Sequence, residues 1–195
     1  MNILIDPLPA SVEIGGREYA IDTDFSTSIR FELLMSSKEC SDSEKIALAL
    51  NLYYPNMPED AKAAFEKVLW FYSGGAEPKS AGRKSGRGAQ QVFDYEYDAP
   101  YIYAAFMSDY GIDLQEGLHW WRFRALFQAL KEDNQICKIM GYRTMDVSQL
   151  KGKEKNFYAK MKQKFAIPLP KSEQEQLDEI NEILLHGGDL SKLMR

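Results

Sequence analysis

The chain has 195 residues, 45% of them hydrophobic and 12% aromatic, enough to bury a core and to exclude wholesale disorder. Its formal net charge of -5 argues against a general nucleic-acid binder, whose balance is usually basic. No apolar run approaches the ~18 residues of a membrane span, and the start MNILIDPLPASVEI lacks a cationic region followed by a long apolar one, so a soluble chain that stays where it is made is expected.

In chain order, SVEIGGREYAI alternates around Gly15-Gly16, with Val12, Ile14, Tyr19 and Ile21 apolar. Paired glycines tolerate the positive φ of a two-residue turn, so this is a β-hairpin. The pattern then becomes helical. Phe25, Ile29, Glu32 and Leu33 step by three and four, with Asp24 or Ser26 able to cap the start. Ser41 stands three residues before Glu44, a capping-box spacing, ahead of a face made by Ile46, Leu50 and Tyr53. In the next helix Pro58 suits the first turn, Phe65, Leu69 and Tyr72 form the stripe, and Gly74-Gly75 ends it.

Residues 74–91 are glycine-rich and carry Lys79, Arg83, Lys84 and Arg87 with no aromatic among them. The segment fails as a phosphate-binding loop, because Gly75 and Gly82 are too far apart and Arg83 occupies the lysine position. Without stacking aromatics it also lacks the make-up of a single-strand nucleic-acid grip. It reads as a flexible basic tether between an N-terminal part, 1–73, and a C-terminal helical part, 92–195.

In the C-terminal part, Pro100 and Gly111 bracket a helix with Ile102, Ala105, Phe106 and Tyr110 inward. Trp120, Phe123, Phe127 and Leu130 make one face of the next helix, with Trp121 and Ala125 beside it. Apolar on most sides, it should be central in its bundle. ICKIMGY is short. Phe157, Met161 and Phe165 follow at i, i+4, i+8 against lysines that include Lys160 and Lys164. A last helix, capped by Ser172, carries Leu177, Ile180 and Leu184 among many acids. The expected fold is all-α, mainly a helical bundle, with a short N-terminal β-hairpin.

Candidate sites fail one by one. Asp94, Glu96 and Asp98 resemble a calcium loop, but its required sixth and twelfth positions hold Ala99 and Ala105, so Asp98 is read as a helix cap. His119 and His186 have no second ligand at metal spacing, and His119 is read as a hydrogen-bonded structural histidine. Cys40 and Cys137 are read as two reduced core thiols. No catalytic, metal or cofactor residue is assigned. The remaining candidate is a partner-binding surface on the last two helices: Phe157, Lys160, Met161, Lys164 and Phe165 on one, Leu177, Ile180 and Leu184 on the other. Packing of these residues against each other is the alternative.

FDYEYDAPYIYAAFMSDYGIDL, LHWWRFRALFQAL, KIMGYRTMD and KNFYAKMKQKFAIP together resemble the bacteriophage gene-product-fifteen family. The resemblance is strongest from Phe93 to Pro168. Genes of that family typically lie in phage and prophage tail modules, between those for the major tail protein and the tape measure, where tail assembly chaperones are encoded. The resemblance therefore implies a non-enzymatic, cytoplasmic chaperone of the bacterial host that binds the tape-measure protein and tail tube subunits, oligomeric or not, and is absent from the mature virion. It implies no nucleic acid, membrane or cofactor. The alternatives are a structural tail or connector component kept in the virion, and an uncharacterised enzyme.

Overall fold

The computed structural model describes residues 2–76 and 91–168. Its elements are strands β1 (Ser11–Ile14) and β2 (Arg17–Ala20) and helices α1 (Phe25–Ser36), α2 (Asp42–Tyr53), α3 (Ala61–Tyr72), α4 (Ala99–Tyr110), α5 (Trp120–Gln128), α6 (Gln135–Thr144) and α7 (Gly152–Lys164). The protein is mainly helical with one antiparallel hairpin, as expected. Most of the expected tether, residues 77–90, and the expected last helix with Leu177, Ile180 and Leu184 lie outside the described residues.

The compact units do not follow the division expected at 74–91. Residues Met1–Asp146 form one unit, and Val147–Arg195 form a second. In the first, segments from both sides of the basic stretch share one core.

Local signals place the N-terminal elements. Gly15 and Gly16 have φ of 58° and 78°, the left-handed pair that a tight hairpin turn demands. Val12 pairs with Tyr19, and the hairpin buries Val12 and Ile14 on the side facing α3. Asp24, not Ser26, caps α1, accepting from Ser26 N at 2.9 Å. The Ser41–Glu44 capping box forms in both directions. α3 begins at Ala61 under the Asp60 cap, so Pro58 precedes the helix rather than occupying its first turn.

Burial departs from the expected stripes on two helices. α2 buries Ala49, Leu50 and Tyr53, but Ile46 is 38% exposed. α3 buries Ala64, Val68 and Phe71, one residue behind the expected Phe65, Leu69 and Tyr72, and Leu69 is 43% exposed. Small Ala64 lets the neighbouring chain close on that edge of the arc: the Tyr54 hydroxyl donates to Ala64 O at 3.0 Å.

α5 is the hub of the first unit. Phe123, with no solvent exposure, stacks on Phe25 (4.8 Å), Phe106 (4.9 Å), Trp120 (5.7 Å) and Phe127 (5.9 Å). A fully buried ring such as Phe123 or Phe106 stabilises the fold by about 1.5–3 kcal/mol through area removed from water, and the half-buried Phe25 and Phe127 contribute less. Polar ties fix the same register. The Trp121 indole donates to Phe71 O, while the Trp120 indole and the Arg124 guanidinium both donate to Tyr72 O, at 2.8, 2.8 and 2.9 Å. These carbonyls end α3, where intrahelical partners run out and the helix dipole favours a cation. Main-chain bonds from Phe25 N to Leu118 O and from Trp120 N to Thr23 O, both 2.8 Å, join the starts of α1 and α5.

α4 buries Ile102, Ala105 and Phe106 and ends at Gly111 in the left-handed region, φ 63°. α6 packs against it with Ile136 and Ile139 fully buried. In the second unit, α7 packs with a single 3-10 turn, Val147–Gln149.

Candidate functional site

α7 carries the described half of the expected partner surface. Its spacing puts Phe157, Met161 and Phe165 along one side, and the helix buries none of its residues. Phe157 is 50% exposed and meets the Tyr158 ring edge-on at 5.3 Å, while Met161 and Phe165 are half-buried. Lys160 and Lys164 follow Phe157 and Met161 by three residues, so both lysines flank the apolar side, and both are exposed. Lys164 Nζ lies 5.1 Å from the Phe165 ring centroid, its stem covering apolar surface while its charge stays in water. Lys162 and Lys164 in the last turn also suit the negative end of the helix dipole.

The double tryptophan is no exposed contact point. Trp120 and Trp121 are both buried, and their indole N–H groups are used inside the fold. His119 is structural, as expected. Its Nδ1 accepts the Trp121 N–H at 3.1 Å and caps α5, and its Nε2 faces Pro9 O at 3.1 Å, a pairing that needs the neutral ring protonated on Nε2. Burial pushes its pKa below the usual histidine value; the Pro9 carbonyl opposes this and the Arg122 charge adds to it.

Asp98 occupies the N-cap position of α4 but makes no capping bond, which corrects the expected role. Its buried carboxylate instead takes Arg143 at two points and accepts Asp94 N at 2.9 Å. Asp94 does the local turn-making, accepting Glu96 N and Tyr97 N at 2.8 Å each. The DYEYD run thus builds a turn and an ion pair. Among the described residues no group of three or more His, Cys, Asp or Glu is placed to hold a metal. Cys40 and Cys137 are free and half-buried rather than core, and burial raises the Cys137 thiol above the usual value. No described helix is long and apolar enough to cross a membrane.

The first unit also holds a cleft of about 520 Å³ that sequence reasoning missed, walled by Tyr72, Phe93, Tyr95, Trp120 and Phe127 with Glu32, Ser73, Arg124 and Gln128. Its residues come from α1, α3, the segment before α4, and α5, so no local motif could announce it. The Tyr72 hydroxyl donates to Glu32 Oε2, and Arg124 lies 5.8 Å over the Trp120 ring. Burial raises the Tyr72 and Tyr95 hydroxyls well above the usual tyrosine range, and the Glu32 charge pushes both the same way. A second cleft of about 280 Å³ shares Ser73, Arg124 and Gln128 and extends past Gly74 and Trp121 to Ile3.

The α7 surface residues, the buried tryptophan pair and the DYEYDAP turn all lie inside one stretch that matches a known family. No curated protein matches the chain, and no solved structure does. The model of one family matches residues 4–167, so that the hairpin, the helical core and α7 all fall within it: the chain belongs to the Bacteriophage Gp15 protein family.

Proposed function

We propose that this phage protein is a tail assembly chaperone that binds the tape-measure protein and tail tube subunits in the host cytoplasm, without catalysis, and leaves before the virion is complete. Family membership supplies the phage setting. The observation that carries the reading is α7: a helix in its own unit that buries no residue yet aligns Phe157, Met161 and Phe165 beside exposed Lys160 and Lys164. A long helical tape measure exposes apolar stripes until the tube encloses it. An amphipathic helix can shield such a stripe by lying along it, with the flanking lysines selecting acidic borders.

Co-expression with the tape measure of the same phage, followed by size exclusion, tests the partnership. Co-elution and dependence of tape-measure solubility on this chain are expected. Soluble tape measure eluting without it overturns the reading. Mass spectrometry of purified virions separates a chaperone, absent there, from a structural component present in many copies.

A further inference from the structure

The 520 Å³ cleft of the first unit has the make-up of a recognition site. Five aromatic side chains wall it, and aromatic faces carry partial negative charge that attracts cations. One wall already shows the preference, since the Arg124 guanidinium lies over the Trp120 ring. Glu32 adds a full negative charge. Its Oε2 takes the Tyr72 hydroxyl, and Oε1 accepts no hydrogen bond from a described residue. The Tyr95 hydroxyl, near enough to Glu32 and Arg124 to feel both charges, likewise has no hydrogen-bond partner among the described residues.

Arg124 opposes a bare cation but suits something larger. It has five N–H donors, and Tyr72 O is the one described acceptor they reach. Its remaining donors, together with the Gln128 amide, ask for acceptors such as main-chain carbonyls. The adjoining 280 Å³ cleft, sharing Ser73, Arg124 and Gln128, lengthens the site into a groove. A compact amine would use the Glu32 end alone; an extended chain uses all of it. The protein's net charge of -5 also favours a basic ligand.

We propose that this groove docks an extended segment of a partner polypeptide, setting an arginine or lysine side chain against Glu32 among the aromatic rings and a main-chain carbonyl on Arg124. It is a second contact, separate from α7, and it stands whether or not the chaperone reading does.

The test is an amide NMR titration of the whole ¹⁵N-labelled chain with capped tripeptides Ala-X-Ala, in which X is arginine, lysine, citrulline or glutamate. The Trp120 indole N–H signal reports on the cleft. Saturable shifts are expected with arginine and lysine, with citrulline about tenfold weaker in affinity. Glu32→Gln, which keeps an acceptor for Tyr72, should erase that preference with the folded spectrum intact. Arg124→Gln should weaken the citrulline peptide as well, through lost carbonyl contacts. Equal binding of arginine and citrulline, preference for glutamate, or no shift at millimolar peptide overturns the proposal. Binding that emerges only when Lys79, Arg83, Lys84 and Arg87 are all changed to alanine overturns it too, because the occupant is then this chain's own basic stretch.

Discussion

Arg143 and Asp98 meet in a two-point ion pair sealed from solvent, with Nη1 2.5 Å from Oδ2 and Nη2 2.9 Å from Oδ1. Arg143 Nη1 also donates to Val92 O at 3.0 Å, so one α6 side chain pins the segment that leads into α4. Removing one partner strands a buried charge, which costs about 3–5 kcal/mol. Arg143→Met should therefore destabilise the first unit by that order in chemical denaturation. Adding Asp98→Leu should recover part of the loss, and only part, because Asp94 N then loses its acceptor. An Arg143→Met protein as stable as the parent would show that water reaches Asp98.

Trp120 is 2% exposed and ties α5 to the end of α3 through its indole. Trp120→Ala should cost about 3–5 kcal/mol from lost transfer energy and the cavity left behind. Trp120→Phe keeps a ring against Phe123 and Tyr72 but strands the bond to Tyr72 O. Arg124 still donates to that carbonyl, so the Phe variant should lose far less. Denaturant midpoints at constant slope check the order of the two.

His119 predicts a pH dependence with a definite sign. Burial depresses its folded-state pKa below the unfolded value of about 6.5, so the unfolded chain binds the extra proton first. The stability it contributes is complete above that value and is lost as pH falls through the depressed folded pKa. Protonation also removes the acceptor used by Trp121 N. The unfolding free energy of the parent minus that of His119→Gln should shrink as pH is lowered below about 6.5. A difference that stays constant or grows there contradicts the neutral-ring assignment.

Gly16 and Gly75 have nearly equal φ, 78° and 77°, in unequal surroundings. A Cβ on Gly16 meets nothing within 4 Å, whereas one on Gly75 lies 2.7 Å from the Trp121 ring. Gly16→Ala should cost only the left-handed backbone penalty, about 1–2 kcal/mol. Gly75→Ala should add about 1–3 kcal/mol of overpacking, because Trp121 is held by its bond to Phe71 O and cannot swing away. Equal losses of thermal stability in the two variants would contradict this.

The features legible in the sequence are those whose cause is local. Gly15-Gly16, the Ser41–Glu44 box and Gly111 each need only neighbouring residues to act, and each acts as read, while of the two cap candidates for α1 it is Asp24 that acts. Which edge of an amphipathic arc is fully covered depends on the facing chain, and so α3 buries Val68 rather than Leu69. Asp98 reads as a cap because its position is one. Its use depends on Arg143, 45 residues away, which nothing local announces. The cleft around Glu32 was hidden for the same reason, its polar groups arriving from α1, α3, the segment before α4, and α5. Of the candidate partner surface, the spacing of Phe157, Met161 and Phe165 is legible directly; the exposure of Phe157 requires the fold.

A binding role for α7 and a structural one differ in which property its variants change. α7 belongs to the second unit and buries no residue, whereas the core built around Phe123 is made of first-unit residues. Phe157→Ala and the charge reversals Lys160→Glu and Lys164→Glu should each leave the first unit's unfolding within about 0.5 kcal/mol of the parent, the range of surface positions. The same variants should weaken co-elution with the tape measure if this helix shields it. The two kinds of change should also respond differently to salt. Attraction between exposed charges fades beyond a Debye length of about 10 Å at 0.1 M, while apolar burial persists. Raising salt should therefore reduce parental binding towards that of the lysine reversals and leave the Phe157→Ala deficit in place. Co-elution unaffected by all three changes would remove α7 from the interface. A loss of first-unit stability with Phe157→Ala would instead make that ring a packing residue.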